Sequence, residues 1–490
     1  MLIAVLAYVG IQLAIGAYVG RRVRSESDYL LAGRSLGYTL ATFSIFATWF
    51  GAETCIGSAG AVYEQGLAAS SRDPFGYAAC LLLMGLFFAR RLWNAGLATL
   101  GDLFRKRYSP GVERLAALLL VPTSVLWAAA QVRAFGLVLE TSSGIDPIVA
   151  TSIAAGVVIL YTAMGGLLAD AITDLVQGSV LVIGILVAGV AVVLNLGGPA
   201  GVVAAVDVDK LRFMPEGTGF WGGLEMWAVP ICGSVVAQEL VARVLGSRSA
   251  VVARRAALMA TGLYLTVGVI PLMIGLVGPT VMPGLADSEH VLATVIHAYL
   301  GPVAYVLFAG AVVSAILSTV DSCLLAAGGL TSENLIASFR PGLGSTARLR
   351  ISRACVVGFG VAAYVLALYG GGVYDLVEQA SAFGSAGIFV VVVIGLFTSF
   401  GGAPAAYAAL ILGAGVWLAG SYVLELPTPY VLALASAVVA YGFVGMVEAV
   451  VTQLRVRPVI ALAAASGARP EPCLPGSAPR PDTVGTASDE

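Results

Sequence analysis

Runs of apolar residues recur along the whole chain, and short segments rich in Gly, Pro and Arg separate them. Each run is about 20 residues long, which is the length of helix that crosses the hydrocarbon core of a bilayer. Backbone polar groups in lipid must bond within their own segment, so these runs predict helices. Thirteen spans, numbered 0 to 12, are predicted to begin at about residues 2, 37, 73, 113, 146, 172, 222, 256, 296, 350, 376, 402 and 428.

The composition is that of a membrane protein. Of the 490 residues, 59% are hydrophobic and only 11% are charged, and the mean hydropathy of +0.94 lies far outside the range of soluble domains. The sequence therefore predicts an all-α polytopic membrane protein whose transmembrane domain covers residues 1–455. Residues 456–490 are rich in Pro, Ala and Ser and are predicted to form a disordered cytoplasmic tail.

The basic residues predict an orientation. If the spans alternate in direction, 22 of the 26 Lys and Arg fall on one side of the membrane. Lys and Arg are concentrated in cytoplasmic loops, so the N-terminus is predicted to be external and the C-terminus cytoplasmic, in the plasma (inner) membrane. Residues 1–20 lack the basic n-region of a cleaved signal peptide, and span 0 is expected to be retained.

Cysteine and histidine supply little material for catalysis or metal binding. The six cysteines have no paired or C-x-x-C spacing, and we interpret them as packing residues. The two histidines, His290 and His297, are too few for a metal site. We therefore expect no enzyme activity, no organic cofactor and no nucleic-acid partner. The expected partners are the lipid bilayer, a small-molecule solute and an inorganic ion.

Polar residues interrupt span 8, which reads AILSTVDSCLL over residues 315–325. A single hydroxyl such as Ser318 can bond back to its own helix, so packing alone would explain one of them. An ionisable residue such as Asp321 costs about 2.5–3.5 kcal/mol at membrane depth, so the cluster is harder to explain by packing. Hydroxyl and carbonyl oxygens suit a small hard monovalent cation. The stretch is interpreted as half of a sodium site.

Two spans carry helix-breaking residues in the middle of an apolar run. Span 1 contains FATWFGAETCIGSAG over residues 46–60, and span 6 contains VPICGSVVAQEL over residues 229–240. Backbone leaves helical geometry at membrane depth only where it lines a cavity. Interrupted first and sixth spans are typical of inverted-repeat transporters, whose binding site lies at the two breaks.

Three ordered motifs carry a resemblance to a known family. DYLLAGRSL precedes span 1, TAMGGLLADAITDLVQG crosses from span 4 to span 5, and SAILSTVDSCLLAAGG lies in span 8. Over about residues 25–445 the chain resembles the sodium:solute symporter family. That resemblance implies a leucine-transporter-like fold of five plus five inverted helices, within about residues 37–400, with one extra helix before and two after.

The resemblance also implies an ion site and an exit path. The family's sodium ligands correspond to the carbonyls of Ala47 and Phe50 in span 1 and of Ala315 in span 8, with the hydroxyls of Ser318 and Thr319. Asp174 and Gln177, in the inner part of span 5, correspond to the path by which the cation leaves. Sodium is thus expected as the coupling ion.

Several stretches resemble the high-affinity choline transporter branch of this family most. They supply Trp49, Tyr77 and Trp127 where that branch keeps an aromatic cage, and cation–π attraction explains why such a cage holds a quaternary ammonium. The alternative is that these rings belong to interfacial belts. The branch also has a Trp in span 6, where this chain has Ala237, and it has glycine where this chain has Glu53.

The expected substrate site comprises Trp49, Glu53, Tyr77, Trp127, Ala237 and Gln238. The expected function is sodium-coupled uptake of a small polar organic solute by alternating access, with a choline-like organic cation as one candidate. A proton-coupled carrier of a neutral or anionic solute, such as a sugar, an amino acid or a carboxylate, stays open because of Glu53. So does a solute sensor that acts through a separate partner.

Arg133, in span 3 near Trp127, is the one basic residue predicted inside a span. If Arg133 faces the substrate cavity, it favours an organic anion as substrate over a cation. An arginine at that depth is too costly to face lipid, so it is expected to snorkel to the outer interface or to pair with Glu140 or Glu239.

Overall fold

The computed structural model describes residues 10–12, 14–15, 18–19, 25–215, 217–299, 302–340, 342 and 344–465. Within these residues the chain is helical, and its one β-bridge joins Leu36 to Ser247. The helices of the spans are Tyr38–Trp49, Glu53–Gly57 and Ser58–Gln65 (span 1); Phe75–Leu83, Met84–Phe88 and Ala89–Asn94 (span 2); Pro110–Ser143 (span 3); Pro147–Asn195 (spans 4 and 5); Phe220–Ala228, Val229–Gly233 and Gln238–Gly246 (span 6); Ala250–Val281 (span 7); Pro302–Gly329, Leu330–Ile336 and Ala337–Phe339 (span 8); Ser345–Tyr369 (span 9); Val373–Ala382 and Ser385–Phe397 (span 10); Ala403–Tyr422 (span 11); and Pro429–Ala465 (span 12). Short helices outside the spans are Glu26–Leu31, Ala32–Arg34, Gly66–Ser71, Leu100–Arg107, Pro199–Ala205, Val208–Leu211, Ser288–His290 and Val291–Tyr299.

The spans follow the predicted order. Among the described residues, nine helices are long and apolar enough to cross a membrane, and two bent pairs of helices raise the number to eleven. These eleven correspond to predicted spans 2 to 12. Span 1 is absent from the eleven because its longest unbroken piece, Tyr38–Trp49, has only 12 residues. Span 0 lies largely outside the described residues.

Three spans are broken in the middle. Span 1 loses helical geometry at Phe50, where ψ is 70°, and resumes as a π-helical turn at Glu53. Span 6 bends by 41° between Gly233 and Gln238. The breaks of spans 1 and 6 were predicted, whereas the 42° bend in span 10 was not. It occurs at Gly384, whose φ of +65° is the left-handed conformation that favours glycine.

Span 8 lies at the centre of the packing. The most apolar part of span 8 is 94% buried within the protein, compared with 28% for that of span 9. Span 8 packs against span 3, against the two helices of spans 4 and 5, which meet at the non-helical Gly166, and against span 9, and it also touches span 1. Polar groups of span 8 therefore face other helices rather than lipid, as the cost of burying them in lipid requires.

Loops that the arginines predict to share one side of the membrane are bonded to one another. The guanidinium of Arg34 donates to the carbonyl of Leu97, 2.9 Å away. The backbone N–H of Arg248 donates to the carbonyl of Leu36 at 2.9 Å. The side chain of Arg114 donates to Ser338 at 3.1 Å. Segments before span 1, between spans 2 and 3, after span 6 and after span 8 thus form one layer.

The last helix passes the predicted end of the membrane domain. Residues 456–465, assigned to the tail from sequence, are helical, because the helix that begins at Pro429 ends at Ala465. Residues 466–490 lie outside the described residues, and their disorder stays a prediction.

Candidate functional site

The break in span 1 brings three helices together at Gly51. A Cβ atom on Gly51 would lie 2.7 Å from the hydroxyl oxygen of Thr319 in span 8 and 3.0 Å from the amide oxygen of Gln131 in span 3. Both distances are shorter than ordinary contacts to a Cβ atom, so only glycine allows this approach. The interruption seen in the sequence therefore has a packing cause.

Thr319 lies where carbonyls from two helices converge. Its hydroxyl is 3.1 Å from the carbonyl of Ala315 in its own helix. It is also 3.0 Å from the carbonyl of Thr48 and 3.4 Å from that of Ala47, both at the end of the first helix of span 1. Ala47, Ala315 and Thr319, which were predicted as sodium ligands, are thus adjacent. Thr48 was not predicted, because the choice of carbonyls depended on the resemblance alone.

Ser318 and Phe50 occupy different places around this point. The hydroxyl of Ser318 donates to the carboxylate of Asp174 in span 5, and Ser44 of span 1 donates to the same carboxylate. Asp174 therefore touches a predicted sodium ligand directly. Phe50 forms the bend itself and, among the described residues, its carbonyl makes no bond to Thr319. Gln177 is buried one turn further along span 5, and its amide makes no hydrogen bond to the described residues.

A buried ion pair lies beside Asp174, and the sequence analysis missed it. Arg243 of span 6 donates to the carboxylate of Asp170 and to the hydroxyl of Ser322, and its guanidinium is 3.8 Å from Asp174. The side chains of Arg243 and Asp170 are each only 1% exposed. The sequence predicts Arg133 as the one basic residue inside a span and so places Arg243 in the basic cytoplasmic loop after span 6, which is wrong: Arg243 lies inside the helix Gln238–Gly246.

Asp321 has a separate partner. Its carboxylate accepts a hydrogen bond from the hydroxyl of Thr162 in span 4. The acidic residue that stood out in the span 8 sequence therefore joins spans 4 and 8, at one turn from the predicted sodium ligands.

The three aromatic residues predicted to form a cage are in contact. The ring of Trp127 in span 3 lies 5.3 Å from that of Trp49 in span 1 and 6.1 Å from that of Tyr77 in span 2, measured between centroids. All three side chains are buried, so they form a cluster inside the protein rather than an interfacial belt. The Tyr77 hydroxyl is 3.2 Å from that of Ser381, at the bend of span 10.

Glu53 lies against this aromatic cluster. Its carboxylate accepts one bond from the indole N–H of Trp127 at 3.3 Å and another from the amide N–H of Gln131 at 2.7 Å. The amide oxygen of Gln131 in turn accepts the backbone N–H of Ala52 at 2.9 Å. Gln131 was missed because a single amide on span 3 gives no sign of a partner almost eighty residues away in the sequence. Carboxylate, indole and amide form one buried unit.

Ala237 and Gln238 follow the break of span 6. Ala237 is the buried residue that precedes the helix Gln238–Gly246. The amide oxygen of Gln238 accepts the backbone N–H of Leu100 at 2.8 Å, and its side chain lines a small cavity together with Arg243. In the described residues Gln238 makes no hydrogen bond to the aromatic cluster, and its bond to Leu100 holds it at the loop between spans 2 and 3.

Polar cavities lie at the opposite end of the helices from the basic loops. One cavity, of about 270 Å³, is lined by Arg133 and by the acidic residues Glu64, Asp287, Glu289 and Asp375. Arg133 therefore lines a cavity and does not face lipid. Burial raises the pKa of Glu289, whose carboxylate accepts the backbone N–H of Val373 at the start of span 10, 2.8 Å away.

The chain is similar in sequence to a family of membrane transporters. A model of the sodium:solute symporter family matches residues 29–413. The chain is 27% identical over 404 residues to the high affinity choline transporter 1 of Homo sapiens. The match covers 76% of this chain and 69% of that protein. The chain is also 28% identical over 346 residues to the sodium/pantothenate symporter of Haemophilus influenzae, covering 67% and 70%. The chain spans 62% to 70% of the length of the choline transporters that it matches.

A solved structure shares the fold. It is the substrate-bound outward-open state of a Na+-coupled sialic acid symporter, with a TM-score of 0.79 and 17% identity, covering 91% of this chain and 96% of that one. The predicted leucine-transporter-like fold is confirmed by this likeness. The matched family and these relatives are transporters, not enzymes.

Proposed function

Because the chain belongs to the sodium:solute symporter family, we propose that it takes up a small organic cation, such as a quaternary or protonated amine, by sodium-coupled alternating access. One observation carries the choice of a cation: the carboxylate of Glu53 bonds to the indole N–H of Trp127 within the aromatic cluster of Trp49, Tyr77 and Trp127. Aromatic faces attract a cation, and a buried carboxylate supplies the opposite charge. The same pairing would repel an organic anion.

The sodium ion bridges spans 1 and 8 in this proposal. Its ligands are the carbonyls of Ala47, Phe50 and Ala315 and the hydroxyls of Ser318 and Thr319. Support comes from the approach of the Thr319 hydroxyl to carbonyls on both sides of the gap. Oxygen ligands of this kind suit a small hard cation. Among the described residues no group of three or more His, Cys, Asp or Glu side chains could hold a metal ion, so a monovalent ion fits the available oxygens.

Asp174 gives the ion a route out. Its carboxylate already bonds to Ser318, so an ion that leaves the two hydroxyls meets a charged oxygen immediately. Gln177 lies one turn further along the same helix, toward the end that the predicted orientation places outside, so Asp174 is the residue of the two that lies nearer the cytoplasm. In this assignment the C-terminus is cytoplasmic, the N-terminus is external and the protein is in the plasma membrane.

In this proposal, alternating access depends on the helices that sodium and the substrate join. Sodium fixes the first helix of span 1 to span 8, while the substrate contacts spans 1, 2 and 3 at the aromatic cluster. Opening toward the cytoplasm separates span 1 from span 8, and both ligands leave. One sodium ion moving down a potential of about 100 mV and a tenfold concentration gradient supplies about 3.7 kcal/mol, enough for a few-hundred-fold accumulation of a neutral solute, and a cationic solute gains about 2.3 kcal/mol more from the same potential.

Gln238 is left out of the proposed substrate site because its amide oxygen is occupied by Leu100. Ala237 stays in it, as the small buried residue at the break of span 6 where the resemblance implies a Trp. Glu53 then supplies, through charge, the attraction that a further aromatic ring would give.

Ligand-induced thermal stabilisation of the purified protein tests the proposal. The panel comprises quaternary amines, protonated amines, sugars, amino acids and carboxylates, each measured in sodium and in potassium. Stabilisation by amines alone, and only in sodium, is expected. Stabilisation by a sugar or a carboxylate in place of amines would overturn the assignment of the substrate, and equal stabilisation in both salts would overturn sodium coupling.

A further inference from the structure

Three oxygen-bearing side chains form a closed triangle beside the break of span 1. Asp73 belongs to the segment between spans 1 and 2, Thr54 to the π-helical turn of span 1, and Tyr264 to span 7. The Thr54 hydroxyl lies 2.7 Å from one carboxylate oxygen of Asp73, and the Tyr264 hydroxyl lies 2.9 Å from the other. The two hydroxyls are 2.8 Å from each other.

The triangle has more bonds than an ionised Asp73 can account for. Each of the three oxygen–oxygen contacts is short enough to be a hydrogen bond, and each bond needs its own proton. Thr54 and Tyr264 bring one hydroxyl proton each. A carboxylate brings none, whereas a carboxylic acid brings the third.

No positive charge takes the place of that third proton among the described residues. Arg72, the nearest arginine in the sequence, turns to span 10, where it pairs with Glu378 at 2.7 Å and stacks on the ring of Tyr374 at 4.2 Å. Asp73 itself is only 1% exposed, and Thr54 and Tyr264 are fully buried. An ionised carboxylate without a partner is costly in such a place.

The remaining titratable neighbours add no positive charge. Besides Arg72, the groups that face Asp73 electrostatically are Glu53 and Cys55 of span 1, Tyr77 of span 2, Tyr264 of span 7 and Tyr374 of span 10. Asp73 lies outside the spans, since span 2 begins at Phe75. Burial raises its pKa to about 7, although its bonds from Thr54 and Tyr264 and the charge of Arg72 act in the other direction.

We infer that Asp73 is a proton-binding site, and that the bound proton closes the triangle with Thr54 and Tyr264. The site is separate from the proposed sodium ligands Ala47 and Thr319, which lie on the other side of the break, although the ring of Phe50 lies 5.4 Å from that of Tyr264 between centroids. The proton fixes the π-helical turn Glu53–Gly57 of span 1 to span 7 and to the segment before span 2. Its loss breaks one of the three bonds and puts a negative charge near Glu53, so the turn that carries Glu53 is released.

Infrared difference spectroscopy on the purified full-length protein tests the inference without substrate or sodium. The sample is titrated between about pH 5 and pH 9, a range around the pKa of the site, and the stretching band of protonated carboxyl groups is followed. In the wild type, part of this band should disappear with a midpoint near neutral pH. In Asp73→Asn, which keeps the size and the polar contacts, that part should be missing.

A matched control and a second variant keep the test decisive. Asp375→Asn removes an exposed carboxylate at the same end of the protein and should leave the neutral-pH component unchanged. Tyr264→Phe removes one hydroxyl and two sides of the triangle, so the midpoint of the Asp73 component should move. A component that survives in Asp73→Asn, or a midpoint that Tyr264→Phe does not change, would overturn the inference.

The outcome is independent of the transported solute. Because neither sodium nor substrate is present, a failure of this titration leaves the proposed symport untouched, and a failure of the amine panel leaves the proton site untouched.

Discussion

The hydroxyl of Thr319 in span 8 lies 3.0 Å from the carbonyl oxygen of Thr48, two residues before span 1 loses helical geometry. One side chain thus reaches across to the end of a broken helix in another part of the chain. The contact depends on Gly51, since a Cβ atom there would lie 2.7 Å from the same hydroxyl. The polar stretch of span 8 and the glycine-containing break of span 1 therefore meet in one contact.

Replacing this hydroxyl should weaken sodium binding. In Thr319→Ala the sodium concentration for half-maximal stabilisation should rise by about tenfold, since loss of one oxygen ligand at a buried site costs on the order of 1–3 kcal/mol. Sodium titration of the thermal unfolding temperature measures the effect. Thr331→Ala is the control, because it makes the same change in the same span at a hydroxyl that has no partner among the described residues. Equal sodium dependence of the two variants would contradict the prediction.

Glu53 should decide the charge of the substrate. Glu53→Gln keeps the shape of the side chain and removes its charge, so affinity for an amine should fall at least tenfold while the sodium dependence of stability is retained. Isothermal titration with the best amine of the panel measures the affinity, and sodium titration of the unfolding temperature measures the sodium dependence. The control is Glu64→Gln, a carboxylate in the wall of the polar cavity, which should change the amine affinity far less. Unchanged affinity in Glu53→Gln would rule out its role as the counter-charge.

The order of the spans could be predicted from the sequence, because the apolar length needed to cross a bilayer is a local property. The breaks of spans 1 and 6 were predicted for the same reason, since Gly51, Pro230 and Gly233 weaken a helix wherever it lies. The bend of span 10 was missed. Its glycine, Gly384, stands among small residues that resemble the close-packing clusters found throughout the chain, and only its backbone conformation distinguishes it.

The pairs of side chains that lie far apart in the sequence could not be predicted. Gln131 and Arg243 are isolated polar residues in their helices, and their partners Glu53 and Asp170 lie far away in the sequence. Arg243 was assigned to a loop because Arg248, which follows it between the helices Gln238–Gly246 and Ala250–Val281, does lie in one. Its burial depends on a carboxylate from span 5, which no count of charges reveals.

Breaking the buried ion pair should destabilise the protein strongly. Removal of one partner leaves an uncompensated charge in the interior, which costs about 3–5 kcal/mol, so Arg243→Gln should lower the unfolding temperature markedly. The double variant Arg243→Gln with Asp170→Asn should recover part of the loss, because it removes the isolated charge as well. Arg212→Gln is the control, since the pair of Arg212 with Asp209 is 53% and 85% exposed and is worth about 1 kcal/mol or less. Similar shifts in Arg243→Gln and Arg212→Gln would refute the argument.

Arg72 should hold the predicted external end of the helices closed. Its guanidinium joins the segment before span 2 to Glu378 and Tyr374 of span 10. Arg72→Ala should therefore increase labelling of the buried thiol of Cys55, beyond the break of span 1, by a membrane-impermeant maleimide added from outside. The same labelling of Arg72→Ala combined with Cys55→Ala identifies the thiol concerned. An unchanged rate at Cys55 would mean that other contacts keep this end closed.

The proton on Asp73 should give the stability of the protein a definite dependence on pH. The pKa of Asp73 is raised to about 7 in the folded state, whereas that of an unfolded chain is about 3.9. Between these values the folded state binds more protons than the unfolded state, so the free energy of unfolding falls as pH rises, by up to about 1.4 kcal/mol per pH unit, and levels off above pH 7. Asp73→Asn has no such proton. The unfolding temperature of the wild type minus that of Asp73→Asn should therefore fall from about pH 4 to pH 7 and then stay constant, while the corresponding value for Asp375→Asn should not follow this course. A value that rises with pH would mean that Asp73 is ionised in the folded protein, with a cation rather than a proton closing its triangle.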